Sequence, residues 1–246
     1  MEVYFLELIT IVAERGNDVK MFDPSGHFIQ HFSVPSDDGE TWLYILDVAT
    51  DNQDNIYVLV KYRKENGYEG LVVYEFSNTA GLHHKFPVRE ESWGRLTVTN
   101  SQVLVLSGRL VSVYDTDGLF VRSFGEGTLK LAIDIAAAND GRVMVVDGYD
   151  SCVHIFSEDG DHLKTFKLQG RYSLPRTAFH RRSENVVIAG RDEEECDLLH
   201  VVIFSKDGDF VRSIQIHEER IHFIAGMTVT MDGRIAVLLS CEVLVI

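Results

Sequence analysis

Two aspartates and an arginine stand at matched positions in this chain. Counting nine residues back from the first apolar residue of successive strand-like runs gives Asp47 before Ile56 and Asp134 before Val143. The same count gives Thr177 before Val186, Gly226 before Ile235 and, with one deletion allowed, Arg95. Two carboxylates and a hydroxyl in one register are the hard oxygen ligands that a divalent cation takes. Arg95 in that register would compete as an internal counter-ion. A structural ring of charge is therefore the first expectation, and a metal-dependent lyase or hydrolase the alternative; no cofactor is expected.

Ten histidines offer a second route to chemistry. His83 and His84 are adjacent, so on a regular strand they point to opposite faces and should not chelate together. His27, His31, His154, His162 and His200 fall in outer hairpins. Only His180, on an inner run, and His217 and His222, in a connection, could approach the carboxylates. A zinc lyase needs several inner histidines around the metal, and here there is one. No Gly-x-Ser-x-Gly elbow and no phosphate-cradling glycine loop occurs. A catalytic role is not expected.

The elements that must position these residues are read best from Leu131 to Leu168, where four short apolar runs are separated by turns. Two of those turns are Asp140-Gly141 and Asp159-Gly160. Asp-Gly between apolar runs signals a hairpin, because glycine accepts the positive φ of a tight turn. The unit is a four-stranded antiparallel meander. Alone, it would leave two bare edges and unburied apolar faces, so it must be repeated.

It is. VKMFDPSGHFIQHF, VVYEFSNTAGLHHKF, VSVYDTDGLFVRSF, VHIFSEDGDHLKTF and VVIFSKDGDFVRSI share one design. Their aromatics Phe22, Phe76, Tyr114, Phe156 and Phe204 recur after 54, 38, 42 and 48 residues. A period near forty with four strands per unit is the mark of a β-propeller. Sandwiches and barrels do not repeat their turn chemistry at a fixed interval. The expected fold is an all-β, six-bladed propeller of four-stranded antiparallel blades, one domain over residues 1–246. The N-terminal EVYFLEL either completes the last sheet or forms the inner strand of the first; both readings are open.

The repeat resembles the NHL repeat, most closely in DIAAANDGRVMVVDGYDSCVHIFSEDGDHLKTF and well in LDVATDNQDNIYVLV. The resemblance spans essentially the whole chain, with departures in the middle loops of the second, third and fifth repeats. It implies a six-bladed propeller. Its commonest setting is the C-terminal substrate-binding domain of tripartite-motif (TRIM) ubiquitin ligases. The chain has no RING or B-box, so in that class it would be the recognition module alone.

Bulk properties narrow the partners. The net charge of −15, from 23 basic and 38 acidic residues, repels phosphate backbones. Nucleic acid is thus an unfavoured partner, and single-stranded RNA binding a minor alternative. No apolar run is long enough to span a membrane. Three widely spaced cysteines suggest no disulfide framework and fit a reducing compartment; the cytoplasm is expected. A protein or peptide ligand remains.

That ligand should meet the face carrying the second-to-third and inter-repeat connections. These vary widely, while the opposite turns are uniform and tight, and variable loops on a rigid scaffold suit binding. RDEEECD holds one basic and five acidic residues, whereas KYRKENGYEG holds three basic and two acidic. Trp42, Trp93, Arg95, Arg109, Tyr149 and Tyr172 are the expected anchors, because aromatic and arginine side chains dominate such contacts. Asp47 and Asp134 should lie near the same face.

Overall fold

The structure, a computed structural model, describes residues 2–5, 10–13, 16–23, 27–37, 40–89, 93–99, 101–218, 221, 223–230, 232–239 and 243–246. The chain groups into two compact units, residues 1–107 with 111–123, and residues 108–110 with 124–246.

The first unit holds three antiparallel meanders, each with its strands in chain order. The first sheet is β1 (Glu2–Phe5), β2 (Thr10–Ala13), β3 (Asp18–Phe22) and β4 (Phe28–Ser33). The second is β5 (Glu40–Thr50), β6 (Ile56–Lys64), β7 (Glu69–Phe76) and β8 (Leu82–Pro87). The third is β9 (Arg95–Val98), β10 (Gln102–Ser107), β11 (Leu110–Asp115) and β12 (Phe120–Phe124). Val58 and Val60 of β6 pack with Val19 and Met21 of the first sheet. Tyr57 and Leu59, on the other face of the same strand, pack with Leu96, Val103 and Val105 of the third. A strand buried on both faces reads as a continuous apolar run, which is why IYVLV shows no polar alternation.

The second unit repeats this plan. β13 (Ala132–Ala137), β14 (Val143–Asp147), β15 (Cys152–Phe156) and β16 (His162–Lys167) form one sheet. β17 (Tyr172–His180), β18 (Asn185–Asp192), β19 (Leu198–Ser205) and β20 (Phe210–His217) form the next. β21 (Gly226–Val229), β22 (Ile235–Leu238) and β23 (Val243–Val245) form the last. Met144 and Val146 meet Val186 and Ile188 between the first two of these sheets. Val187 and Ala189 meet Met227 and Val237 between the second and third.

The expectation of six four-stranded blades is corrected. Five sheets have four strands, and the sixth, β21–β23, has three among the described residues. β1 pairs with β2, Val3 opposite Val12, in the first sheet and not in the last. Of the two readings of EVYFLEL, the structure takes the second.

The repeated turns have one chemistry. The residue closing each third strand accepts the N–H four residues on: Asp23 from His27, Ser77 from Gly81, Asp115 from Leu119, Ser157 from Asp161 and Ser205 from Asp209. Within these turns Gly118, Gly160 and Gly208 take positive φ of 80°, 91° and 81°. A Cβ there would also sit 2.3 Å from Phe86, 2.8 Å from Phe124 and 2.4 Å from Phe166 respectively. Each of these phenylalanines lies on the fourth strand of the preceding sheet. Its ring also meets the third-strand aromatic at a tilt: Phe86 with Tyr114, Phe124 with Phe156, Phe166 with Phe204. The recurrent aromatic and the recurrent glycine are two halves of one joint.

Candidate functional site

Asp47 and Asp134 are buried, and backbone donors occupy the carboxylate oxygens described here. Asp47 Oδ2 accepts from Leu96 N at 2.6 Å, and Oδ1 from Val48 N at 2.9 Å. Arg95 Nη1 donates in the reverse direction to the Leu46 carbonyl at 3.2 Å. In the second unit, Asp134 Oδ2 accepts from Thr177 N at 2.6 Å, and Arg176 Nε donates to Ala225 O at 3.0 Å. These are latches between neighbouring inner strands. Among the described residues, no three or more His, Cys, Asp or Glu side chains are arranged to hold a metal ion. Arg176 was missed from sequence, and the single-deletion count is the cause. Leu96 and Thr177 are the equivalent donors, so Arg95 matches Arg176, one residue before each.

The exposed anchors lie on other residues of both units. Asp147 is fully buried at the end of β14 and gathers the N–H groups of Lys130, Leu131 and Tyr149 at 2.6, 3.2 and 3.0 Å. This fixes Tyr149, 71% exposed, at the tip of the β14–β15 turn. Lys130 Nζ stands 5.4 Å from the Tyr149 ring and pairs with Asp150 at 2.8 Å. The hydrogen bond from Lys130 holds the Asp150 carboxyl below the usual carboxylate range, and the same bond raises the Lys130 ammonium. Arg109 Nε donates to the Lys130 carbonyl at 2.9 Å. An exposed tyrosine, two cations and the exposed Leu131 therefore share one ordered surface.

In the first unit, β5 and β6 run past the core. Connections expected at VPSDDGETW and KYRKENGYEG contribute residues to these strands, with Glu40 opposite Lys64 and Trp42 opposite Arg63. Trp42 is 45% exposed and stacks on Tyr44, ring centroids 5.6 Å apart. Their cross-strand partners Arg63 and Lys61 both bind Glu69, through Arg63 Nε at 2.7 Å and Lys61 Nζ at 2.7 Å. These two hydrogen bonds, Lys61's first, hold the Glu69 carboxyl low. At the start of β9, Trp93 is exposed, with the Arg95 guanidinium 5.8 Å from its ring. The flat aromatic pair and its bordering cations form a platform on strands rather than on a loose loop.

Tyr172 is placed differently. It is 7% exposed, belongs to β17 rather than to a connection, and packs against Met144, Val186 and Phe204. A bulge between Ser173 and Arg176 lets β17 begin this early. Gly170 and Gly190 lie under its ring, and burial, with Asp192 nearby, pushes its phenol up. It is a core residue.

The histidines hold one correction. A bulge between Glu75 and Phe76 turns His83 and His84 toward one carboxylate, their Nδ1 atoms 3.3 and 3.0 Å from Glu75 oxygens. Regular alternation, assumed from sequence, fails at a bulge. In the second unit, His154 Nε2 lies 3.4 Å from Cys152 Sγ, and His154 Nδ1 lies 2.9 Å from Thr165 Oγ1. Burial lowers His154 and pushes the Cys152 thiol up to about 11, so this thiol is no nucleophile. His180 Nδ1 bonds Ser183 Oγ, His217 is exposed at the end of β20, and His222 lies outside the described residues.

The structure is similar to the WD40 domain of Neurospora crassa Pan2, at 11% identity and a TM-score of 0.62, over 96% of this chain and 70% of that one. It is similar to U3-55K at 10% identity and 0.60, over 94% and 84%. A streptogramin B lyase matches at 10% identity and 0.61, over 98% and 91%. The fold is a β-propeller. No family model matches the chain, and no curated protein matches it in sequence. At these identities the likeness is one of fold, and lyases stand among the neighbours beside WD40 domains. The side chains must choose between them. Among the described residues, no helix is long and apolar enough to cross a membrane.

Proposed function

We propose that this propeller is a non-catalytic protein-interaction module that captures an extended protein segment on its variable loops, in the manner of NHL recognition domains. The observation that carries this reading is a preset aromatic–cation surface in each unit taken by itself: Trp42 with Arg63 in the first, and Tyr149 with Lys130 and Arg109 in the second. Large rigid side chains fixed before binding lose little entropy on contact. The NHL-like repeat makes a TRIM-type ubiquitin ligase the context in which such a module would select substrates, with the cytoplasm as its setting. Replacing Trp42, Arg109 and Tyr149 with Ala should leave the chain folded, at a cost of about 1–2 kcal/mol at Trp42, whose ring is partly covered against Tyr44, about 1 at Arg109, which gives up its bond to the Lys130 carbonyl, and little at Tyr149. Partners recovered by cross-linking to the wild-type chain should be lost with this triple variant; an unchanged set would overturn the reading.

The lyase neighbours favour a second reading, a metal-dependent propeller lyase. It requires Asp47 or Asp134 to leave its backbone donors. Turnover of a streptogramin B substrate, enhanced by a divalent cation and abolished by Asp134→Asn, would establish it in place of the first.

A further inference from the structure

Three neighbouring inner strands of the second unit begin alike. Leu131, Leu174 and Phe223 stand three residues before Asp134, Thr177 and Gly226, the positions matched by the nine-residue count. All three are exposed, at 53%, 51% and 40%. The strands they lie on or lead into, β13, β17 and β21, are tied side by side by Asp134 to Thr177 N and by Arg176 to Ala225 O. A recurrent large apolar residue in water marks an interaction surface rather than a scatter of single residues.

Each of the three is held by its surroundings. Leu131 N donates to Asp147 Oδ1 at 3.2 Å, and its carbonyl accepts from Gly148 N at 2.9 Å. Leu174 takes a φ of 45° in the bulge of β17, a left-handed conformation that is costly for a residue with a Cβ. Strain of this kind persists where it presents a residue for use. Phe223 is turned out between Ile221 and Ile224, which are both buried in the core.

A cation lies between two of them. Arg191, near the end of β18, pairs with Ser173, the residue before Leu174. Its Nη1 donates at 3.3 Å to the carbonyl of Ile221, two residues before Phe223. Its Nε is buried and, among the described residues, has no hydrogen-bond acceptor. Such a donor gains more from an arriving carboxylate than one already satisfied. The adjacent Asp192 is occupied elsewhere, by His200 and the amides of Glu194 and Glu195.

We propose that this row takes a protein segment with two or three large aliphatic or aromatic side chains and one Asp or Glu between them, whose carboxylate meets Arg191. The proposal rests on the reading of the variable loops as a protein-binding face and adds the chemistry of the segment. Its apolar side chains supply most of the affinity, and the arginine–carboxylate pair sets the register. A net charge of −15 opposes a strongly acidic partner, which limits the segment to that one carboxylate.

The probe is a phage-displayed library of random dodecapeptides selected on the whole chain, with enriched sequences then titrated as labelled synthetic peptides. Enrichment of Leu, Ile, Phe or Trp around an Asp or Glu is expected. Leu174→Ser and Phe223→Ser change exposed side chains, so both variants should keep the wild-type circular dichroism, and each should weaken the peptides about tenfold or more. Arg191→Gln should weaken them about tenfold, yet leave unaltered the binding of the same peptides with Asn or Gln in place of the carboxylate. Absence of enrichment, enrichment of basic or wholly polar sequences, or affinity indifferent to Leu174→Ser and Phe223→Ser overturns the proposal. So does a dimer in sedimentation that Leu174→Ser converts to monomer, since the occupant would then be a second copy of this chain. Cross-linked partners lost with the Trp42, Arg109 and Tyr149 variant but kept when Leu174→Ser and Phe223→Ser are combined would overturn this proposal and leave the broader reading standing.

Discussion

Asp147 has no exposure to solvent and three backbone donors, so its charge serves the loop rather than a ligand. Asp147→Ala should cost about 3 kcal/mol, since it strips a charged acceptor from buried amides. That is a fall of roughly 10 °C in thermal midpoint by calorimetry, with amide exchange accelerated at Leu131 and Tyr149. His154 sets a pH dependence. Its folded pKa lies below the unfolded value of about 6.5, so between the two the unfolded chain binds more protons. Stability therefore rises with pH through that window and falls as pH drops below about 6.5. Cys152, His162 and Thr165 contact the ring directly, and the charges of Asp147, Asp150 and Lys167 act on it. The drop in melting temperature from about pH 7.5 to 5.5 should be smaller in His154→Gln than in the wild type.

The joint between sheets makes glycines unequal. Gly127 has φ of 78° with nothing near its missing Cβ, whereas Gly160 has φ of 91° with Phe124 beneath it. Gly127→Ala should cost about 1 kcal/mol from the left-handed backbone alone. Gly160→Ala should cost about 3, because overpacking against Phe124 adds to the same backbone term. Denaturant melts of the two variants measure the difference. The inner-strand latches make a related forecast: because Asp134 Oδ2 accepts from Thr177 N, chelator should leave the melting temperature unchanged, while Asp134→Ala should lower stability by about 2 kcal/mol. Much of this level was legible beforehand. Asp159-Gly160 and Phe156 announced turn and strand because glycine φ and strand apolarity are local properties. The bulges at Glu75 and Ser173 were not legible; they depend on partner register, so His83 and Tyr172 came out facing other ways. The direction of the Asp47 carboxylate, toward Leu96 N 49 residues away, is likewise set by packing.

For the molecule as a whole, a charge of −15 bears on partners more than on fold. Random single-stranded RNA should produce no mobility shift at about 0.15 M salt, where phosphate attraction would otherwise drive binding. A shift that fades with added salt would revive an RNA role through the Trp42–Arg63 platform. The repeat and its period were plain in the sequence; the number of complete blades was not, because the place of an end strand depends on which neighbour it finds. One consequence of the phenylalanine–glycine joint concerns ancestry. A segment that brings both peg and socket, as residues 124–166 do with Gly160 receiving Phe124 and Phe166 reaching Gly208, can be duplicated in tandem with each copy already shaped to dock on the last. Growth of the row by gene duplication would then demand no newly invented contact.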